Sequence, residues 1–188
     1  MKKLLLVIAA ATVFTFHLHA QPEKGDWIAS LQGSYGVAGV KSDSYRYHNL
    51  QLKPELLKML KHNVALGVVM GVDHSLTWMK NYQPDVDLRT RNLNLQIGPV
   101  VRKYFGNAKL VPYAELSAGV NYSHYYSKFS GESGSSISSA DAFIRPAIGL
   151  SYWMNNRVSF SISAGTDLLK PRYRELQINL GISVKLGK

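Results

Sequence analysis

The chain has 188 residues, with 22 lysines and arginines against 12 aspartates and glutamates, a formal net charge of +10, and no cysteine. Without cysteine, a disulfide framework and a lipid anchor on cysteine are both excluded. The N-terminus combines Lys2 and Lys3 with an apolar run from Leu4 to Phe16 and reaches Ala20. This pattern predicts a secretory signal peptide over residues 1–20, too short to span a bilayer, followed by one domain over residues 21–188.

Eight stretches of alternating apolar and polar residues follow, and such alternation is typical of strands with two different faces. The predicted strands cover residues 27–39, 44–60, 64–79, 86–105, 110–128, 138–154, 158–168 and 173–186. The segment 54–61 also fits a short helix, but strand is preferred because Pro54, Pro99 and Pro146 recur in similar units that end in asparagine turns. Prolines inside strands predict bulges or bends at these three positions.

The two faces of these strands differ in composition. One face is apolar, and the other carries serine, glycine, asparagine and glutamine with few charges. A small, uncharged face suits the interior of a narrow barrel, so the apolar face is expected to meet lipid. A soluble lipocalin-type barrel, with a charged exterior and an apolar pocket, is the less favoured alternative. The predicted fold is all-β: an eight-stranded antiparallel up-and-down transmembrane β-barrel.

The predicted inward face contains eight charged residues of balanced sign. Because a buried charge needs a partner, we expect structural ion pairs that help to plug the lumen, although a proton path or a catalytic cluster is the alternative use of such groups. The basic members are Lys53, Arg102, Arg145 and Lys185, and the acidic members are Glu55, Asp73, Glu115 and Asp167.

The signal peptide, the eight alternating segments and the short asparagine turns at Asn63, Asn107 and Asn155 resemble the small outer-membrane β-barrel family of Gram-negative bacteria, the OmpA-transmembrane-domain and OmpX-like proteins. The resemblance spans about residues 27–186. It implies an outer-membrane location, passage through the barrel-insertion machinery, short periplasmic turns and longer extracellular loops at residues 80–85 and 129–139. Family members commonly end in an aromatic residue, whereas this chain ends in Leu186, Gly187 and Lys188.

Aromatic residues are expected to form girdles where the barrel meets the two membrane interfaces. The periplasmic set is Trp27, Phe105, Tyr152 and Trp153, and the outer set is Trp78, Tyr122, Tyr126 and Phe143.

Several basic residues have the lipid-facing parity just beyond the apolar band. We expect them either to contact lipopolysaccharide phosphates or to act only as solvated charges at the strand ends. Nucleic-acid binding is not expected, because a lipid-inserted barrel has no element that reads a groove. These basic residues are Arg46, Arg89, Arg91, Lys128 and Arg174.

The sequence gives no strong indication of catalysis. Asp73, His74 and Ser75 are adjacent, so their side chains alternate between faces, and His124 fits an interfacial aromatic position better than a general base. No His-x-His metal spacing occurs in the mature chain, and neither a cofactor nor a metal is expected. The favoured function is a non-enzymatic structural or surface-interaction barrel, with a lipid A acyltransferase or deacylase as the alternative; no extracellular partner is identified.

Residues 130–139 have the composition of a mobile surface loop.

Overall fold

A computed structural model describes residues 22–39, 45–83, 86–106, 108–131, 133–169 and 176–186. The predicted signal peptide lies outside the described residues. The strands form one closed barrel in sequence order. Their bounds are β1 Trp27–Gly39, β2 Tyr45–Lys61, β3 Val64–Gln83, β4 Val86–Tyr104, β5 Leu110–Phe129, β6 Ser135–Trp153, β7 Val158–Gly165 and β8 Gln177–Leu186.

Every neighbouring pair of strands is antiparallel, and the ring closes where β1 pairs with β8, from Trp27 opposite Leu186 to Gly33 opposite Leu180. The predicted eight-stranded up-and-down barrel is therefore confirmed, and segment 54–61 is strand rather than helix. None of the described residues belongs to a helix that could cross a membrane.

The three repeated prolines lie within strands without shifting the register. Pairing between β2 and β3 stops at Leu52, skips Lys53 and Pro54, and resumes at Glu55 in the same register. Pairing between β4 and β5 skips Pro99 in the same way. A proline has no N–H to donate, so one ladder loses a hydrogen bond while the opposite ladder stays intact. No bulge lies at these prolines, and the register shifts among the described strands lie at Met59/Lys61 and Met79/Gln83. A bend at the prolines stays a prediction.

Inward-facing glycines allow the backbones of neighbouring strands to approach closely at mid-barrel. A Cβ atom added to Gly98 would lie 1.9 Å from the carbonyl oxygen of Ala118, and one added to Gly119 would lie 2.1 Å from that of Ile97. Both distances are far inside van der Waals contact, so only glycine fits there without a shift of the backbone. These two glycines therefore let the backbones of β4 and β5 approach each other closely.

The hairpin between β5 and β6 is longer and more regular than its composition suggested. Strand pairing continues as far as Ser127 opposite Ser135, and the chain reverses around Gly131, whose φ is 84°. Residues 135–139 are therefore strand, and the prediction of a loop over residues 130–139 was wrong for this half. Cross-strand pairing overrides the weak strand propensity of serine here.

Outward-facing positions form a continuous apolar band around the barrel. On β3, the outward side chains of Leu66, Val68, Met70 and Val72 are 40% to 53% exposed. Inward positions on the same strand include Ala65 and Val69, which are buried. Exposed apolar area of this extent around a whole barrel is unfavourable in water and is the surface expected to meet lipid.

Candidate functional sites in the lumen and at the outer rim

The lumen has a packed apolar layer at the end that carries the short turns. Sequence reasoning missed this layer, because it assigned polar residues to the entire inward face. Its members come from β1 to β6 and are all less than 4% exposed: Ile28, Leu57, Met59, Ala65, Val69, Val100, Tyr104, Val111, Tyr113 and Trp153.

Above the apolar layer, two basic and two acidic side chains form a quartet. The Nζ of Lys53 lies 3.0 Å from Glu55 and 2.6 Å from Glu115. The guanidinium of Arg102 contacts both carboxylates, and its Nε donates to Glu115 at 2.8 Å. All four side chains are at most 9% exposed, so each charge is compensated where water cannot screen it. The ring of Tyr113 lies below the guanidinium, with its centroid 4.7 Å from the Cζ of Arg102.

The quartet places four of the eight predicted lumen charges in one cluster. Its local sequence explains the arrangement: Lys53 and Glu55 are two residues apart on β2, so both point inward. Arg102 on β4 is directly opposite Glu115 on β5 in the register. Gln32 of β1 also donates to both oxygens of Glu55 at 3.2 Å. These contacts lie directly above the apolar layer inside the barrel.

Beyond the quartet, towards the end with the long hairpins, the lumen opens into a polar cavity of about 300 Å³. We call it the upper cavity. Arg145 lies in its wall, donates to the side-chain oxygen of Gln96 at 3.1 Å and shares the cavity with Asp73 and Asp167. The full lining is Tyr47, Asn49, Asp73, Ser75, Asn92, Asn94, Gln96, Asn121, Arg145, Asp167 and Gln177.

Lys185, the eighth predicted lumen charge, has a different partner from those expected. Its Nζ lies 2.8 Å from a carboxylate oxygen of Asp26, which precedes β1 at the end with the short turns. Lys185 is thus separated from the acidic residues with which the sequence grouped it. Asp26 was missed because it lies before the first alternating segment.

Two of the predicted girdle residues point into the lumen instead of to the membrane. Trp153 is 1% exposed in the apolar layer, and Phe143 is 2% exposed beside the guanidinium of Arg145. Their parity along β6 explains this correction, since residues 143, 145, 151 and 153 share the inward face. The other six girdle residues are on the exterior or at its edge: Trp27, Phe105, Tyr152, Trp78, Tyr122 and Tyr126.

At the outer rim, three of the predicted phosphate-contacting residues and one tryptophan are directly opposite one another across β2 to β5. Arg46 is opposite Trp78, Trp78 is opposite Arg89, and Arg89 is opposite Lys128. We call this set the Trp78 row. The Trp78 ring centroid lies 5.6 Å from the Cζ of Arg46, 5.4 Å from that of Arg89 and 5.0 Å from the Nζ of Lys80. Sequence reasoning missed Lys80.

A shallow pocket of about 290 Å³ lies on this side of the rim and includes Arg46, Trp78, Arg89 and Arg91. The structure therefore gathers three of the five predicted phosphate-contacting residues around one pocket and places Lys128 next to it. Arg174 lies outside the described residues.

One pair of chemically reactive side chains was missed by sequence reasoning. His124 Nδ1 and Ser138 Oγ lie 2.9 Å apart across β5 and β6, on the outward face. No carboxylate bonds to His124 among the residues that the structure describes. Asp73, His74 and Ser75 remain on alternating faces, with only Asp73 and Ser75 at the upper cavity. Within the described parts of the chain, no group of three histidine, aspartate or glutamate side chains could hold a metal ion.

No protein-family model matches the chain, and no curated protein matches it. Solved structures with a similar fold include the N-terminal β-barrel domain of Pseudomonas aeruginosa OprF, at 14% identity and a TM-score of 0.47, over 88% of this chain and 100% of that chain. The outer membrane protein OprG from Pseudomonas aeruginosa matches at 14% identity and 0.47, over 90% and 99%. Neisserial surface protein A matches at 16% and 0.44, over 88% and 100%. At these identities the likeness concerns the fold alone.

The closed ring of eight antiparallel strands, its apolar exterior and its polar upper lumen together form the architecture of an outer-membrane β-barrel.

Proposed function

We propose that this chain is a non-enzymatic outer-membrane barrel whose interior is closed and whose outer rim holds the phosphate groups of lipopolysaccharide. The closed interior rests on the quartet and the apolar layer, since eight-stranded barrels are filled by their own side chains. Of the eight predicted lumen charges, the four in the quartet then act as structural ion pairs and not as a conduction path.

The observation that carries the rim proposal is the Trp78 row. Arg89 and Lys128 have the same charge and are directly opposite each other on adjacent strands. Like charges in this position destabilise a sheet unless an anion lies between them. Arg91 adds a third cation on the same face. A phosphate bound to this set would accept charge-assisted hydrogen bonds and relieve the repulsion.

The rim proposal is tested by reversing charge at the Trp78 row. The double variant Arg89→Glu with Arg91→Glu is expected to reduce co-purifying lipopolysaccharide severalfold, because it removes two of the cations proposed to bind phosphate. Lys58→Glu is the matched control, because the Nζ of Lys58 lies 5.3 Å from the ring centroid of Trp27 at the opposite rim. Equal lipopolysaccharide content in both variants would contradict the proposal.

The closed interior is tested by electrical recording in planar bilayers. A shift on a gel upon boiling and sedimentation with outer membranes first show that the barrel is folded and correctly located. The purified barrel is then expected to give no large, stable channels. Stable openings of uniform size would show that the quartet does not close the lumen.

The His124–Ser138 pair supports a second candidate function, which is hydrolysis or transfer of lipid acyl chains. A histidine within hydrogen-bond distance of a serine can activate the hydroxyl as a nucleophile, and this pair lies on the outward face. Incubation with lipid A followed by mass spectrometry tests it. A change in acyl number that Ser138→Ala abolishes would establish the enzyme, and unchanged lipid A would exclude this substrate.

A further inference from the structure

The upper cavity is lined by groups that both donate and accept hydrogen bonds. Six of its eleven lining residues carry a side-chain amide, and Tyr47 and Ser75 contribute hydroxyl groups. A side-chain amide has an N–H₂ donor and a C=O acceptor. A hydroxyl group can likewise both donate and accept a hydrogen bond. A ligand that fits such a lining must itself offer donors and acceptors on several sides.

Several of these polar groups are fixed by contacts with each other. Asn49 Nδ2 donates to the hydroxyl oxygen of Tyr47 at 3.0 Å, and Asn121 Nδ2 donates to Ser123 Oγ at 2.9 Å. Arg145 is held by Gln96 and by its position over the ring of Phe143. Such fixed donors and acceptors bind a ligand without a further loss of side-chain freedom.

Two side chains of the lining are more than nine-tenths buried and retain an unused polar atom. Arg145 is 7% exposed and Asn121 is 1% exposed, and neither Arg145 Nε nor Asn121 Oδ1 has a hydrogen-bond partner among the described residues. A buried polar atom without a partner is unfavourable in free energy. A ligand that supplies an acceptor to Nε and a donor to Oδ1 recovers this free energy.

The charge and size of the cavity restrict the class of ligand further. Two carboxylates and one guanidinium line it, so neither a multiply charged anion nor an apolar molecule fits. Its volume of about 300 Å³ lies at the lower end of the range of small-molecule pockets. The buried quartet lies below the cavity, so we expect a ligand to enter and leave at the end with the long hairpins.

We propose that the upper cavity is a binding site for a neutral polyhydroxyl ligand of monosaccharide size. Its hydroxyl groups accept from Arg145 and the amide nitrogens, and they donate to Asp73, Asp167 and the amide oxygens. The site is separate from the outer rim, because its lining faces the lumen while the Trp78 row faces outward.

The test uses the intact folded barrel in detergent, with D-glucose, D-galactose and N-acetyl-D-glucosamine as probes in saturation-transfer NMR. Saturable binding of at least one sugar is expected, with a dissociation constant on the order of 1 mM. Ser75→Trp fills the cavity and is expected to weaken binding at least tenfold. Ser136→Trp is the matched control on the exposed outward face, and it should bind like the unmodified barrel.

The gel shift upon boiling shows whether Ser75→Trp folds. Asn121→Leu, which leaves the side-chain volume nearly unchanged, is the second variant if it does not. The Arg89→Glu and Arg91→Glu variant should retain sugar binding, so a failure of the rim proposal leaves this test intact. If a methyl glycoside binds as well as the free sugar, the ligand is the end of a glycan chain. If only the free sugar binds, the ligand is a monosaccharide. No saturable binding of any probe, or equal binding by every variant, overturns the proposal.

Discussion

The lower and upper halves of the lumen have the same strands but opposite physical character. The lower half consists of the apolar layer and the quartet, in which every charged side chain is paired and at most 9% exposed. The upper half is a polar cavity with unused hydrogen-bonding atoms. From this difference we expect two roles: the lower half stabilises the barrel, and the upper half and the rim are the proposed places for ligands.

The sharpest test of this comparison removes one arginine from each half. Arg102→Met leaves two buried carboxylates with only Lys53, so we expect the free energy of unfolding to fall by about 3–5 kcal/mol. Arg145→Met should cost clearly less, because its acidic neighbours line a cavity that water can enter. Urea unfolding in detergent measures both. Equal losses would mean that the two halves do not differ in their electrostatics.

A smaller effect is expected from removing packed volume. Leu57 is fully buried in the apolar layer, so Leu57→Ala should lower the free energy of unfolding by about 2–5 kcal/mol. Asn94→Ala enlarges a space that is already a cavity. It should therefore change the free energy of unfolding by about 0.5 kcal/mol or less. Unfolding curves of the two variants at matched detergent concentration provide the comparison. A large loss for Asn94→Ala would show that the upper lumen also contributes to stability.

The smallest expected effect concerns the backbone. Gly98→Ala places a Cβ within 1.9 Å of the Ala118 carbonyl oxygen and should cost about 1–3 kcal/mol. Gly36→Ala is the control on the upper part of β1, where the nearest atom is 4.0 Å away, and it should be close to neutral. Thermal or urea unfolding measures the stability of both variants. A neutral Gly98→Ala would mean that β4 and β5 can separate at no cost.

The fold could be predicted from sequence because the alternation is long and the outward residues are nearly all apolar. The apolar layer could not, and β2 shows why. Around Leu56 and Leu57 both faces of the strand are apolar, so parity gives no contrast between lumen and lipid. The same loss of contrast made this segment resemble a helix.

The candidate sites were only partly predictable for a different reason. Lys53 and Glu55 are close in sequence, and their shared face follows from their spacing. His124 and Ser138 belong to neighbouring strands, and their contact depends on a register that alternation alone does not determine. Arg89 and Lys128 are opposite each other for the same reason. Sequence spacing thus predicts contacts within a strand, whereas contacts between strands require the structure.

The pairing of β1 with β8 has a consequence for how the barrel assembles. It joins Trp27 to Leu186, at the two ends of the described chain, and the Lys185–Asp26 ion pair lies beside it. Every other strand pair can form from adjacent hairpins, but this one requires the longest loop closure in the molecule. Until β8 is in place, β1 and β7 remain open edges with unsatisfied backbone groups, which a hydrocarbon environment does not tolerate. Because an open strand edge is unfavourable in hydrocarbon, we expect the β1–β8 pairing to form together with insertion into the membrane.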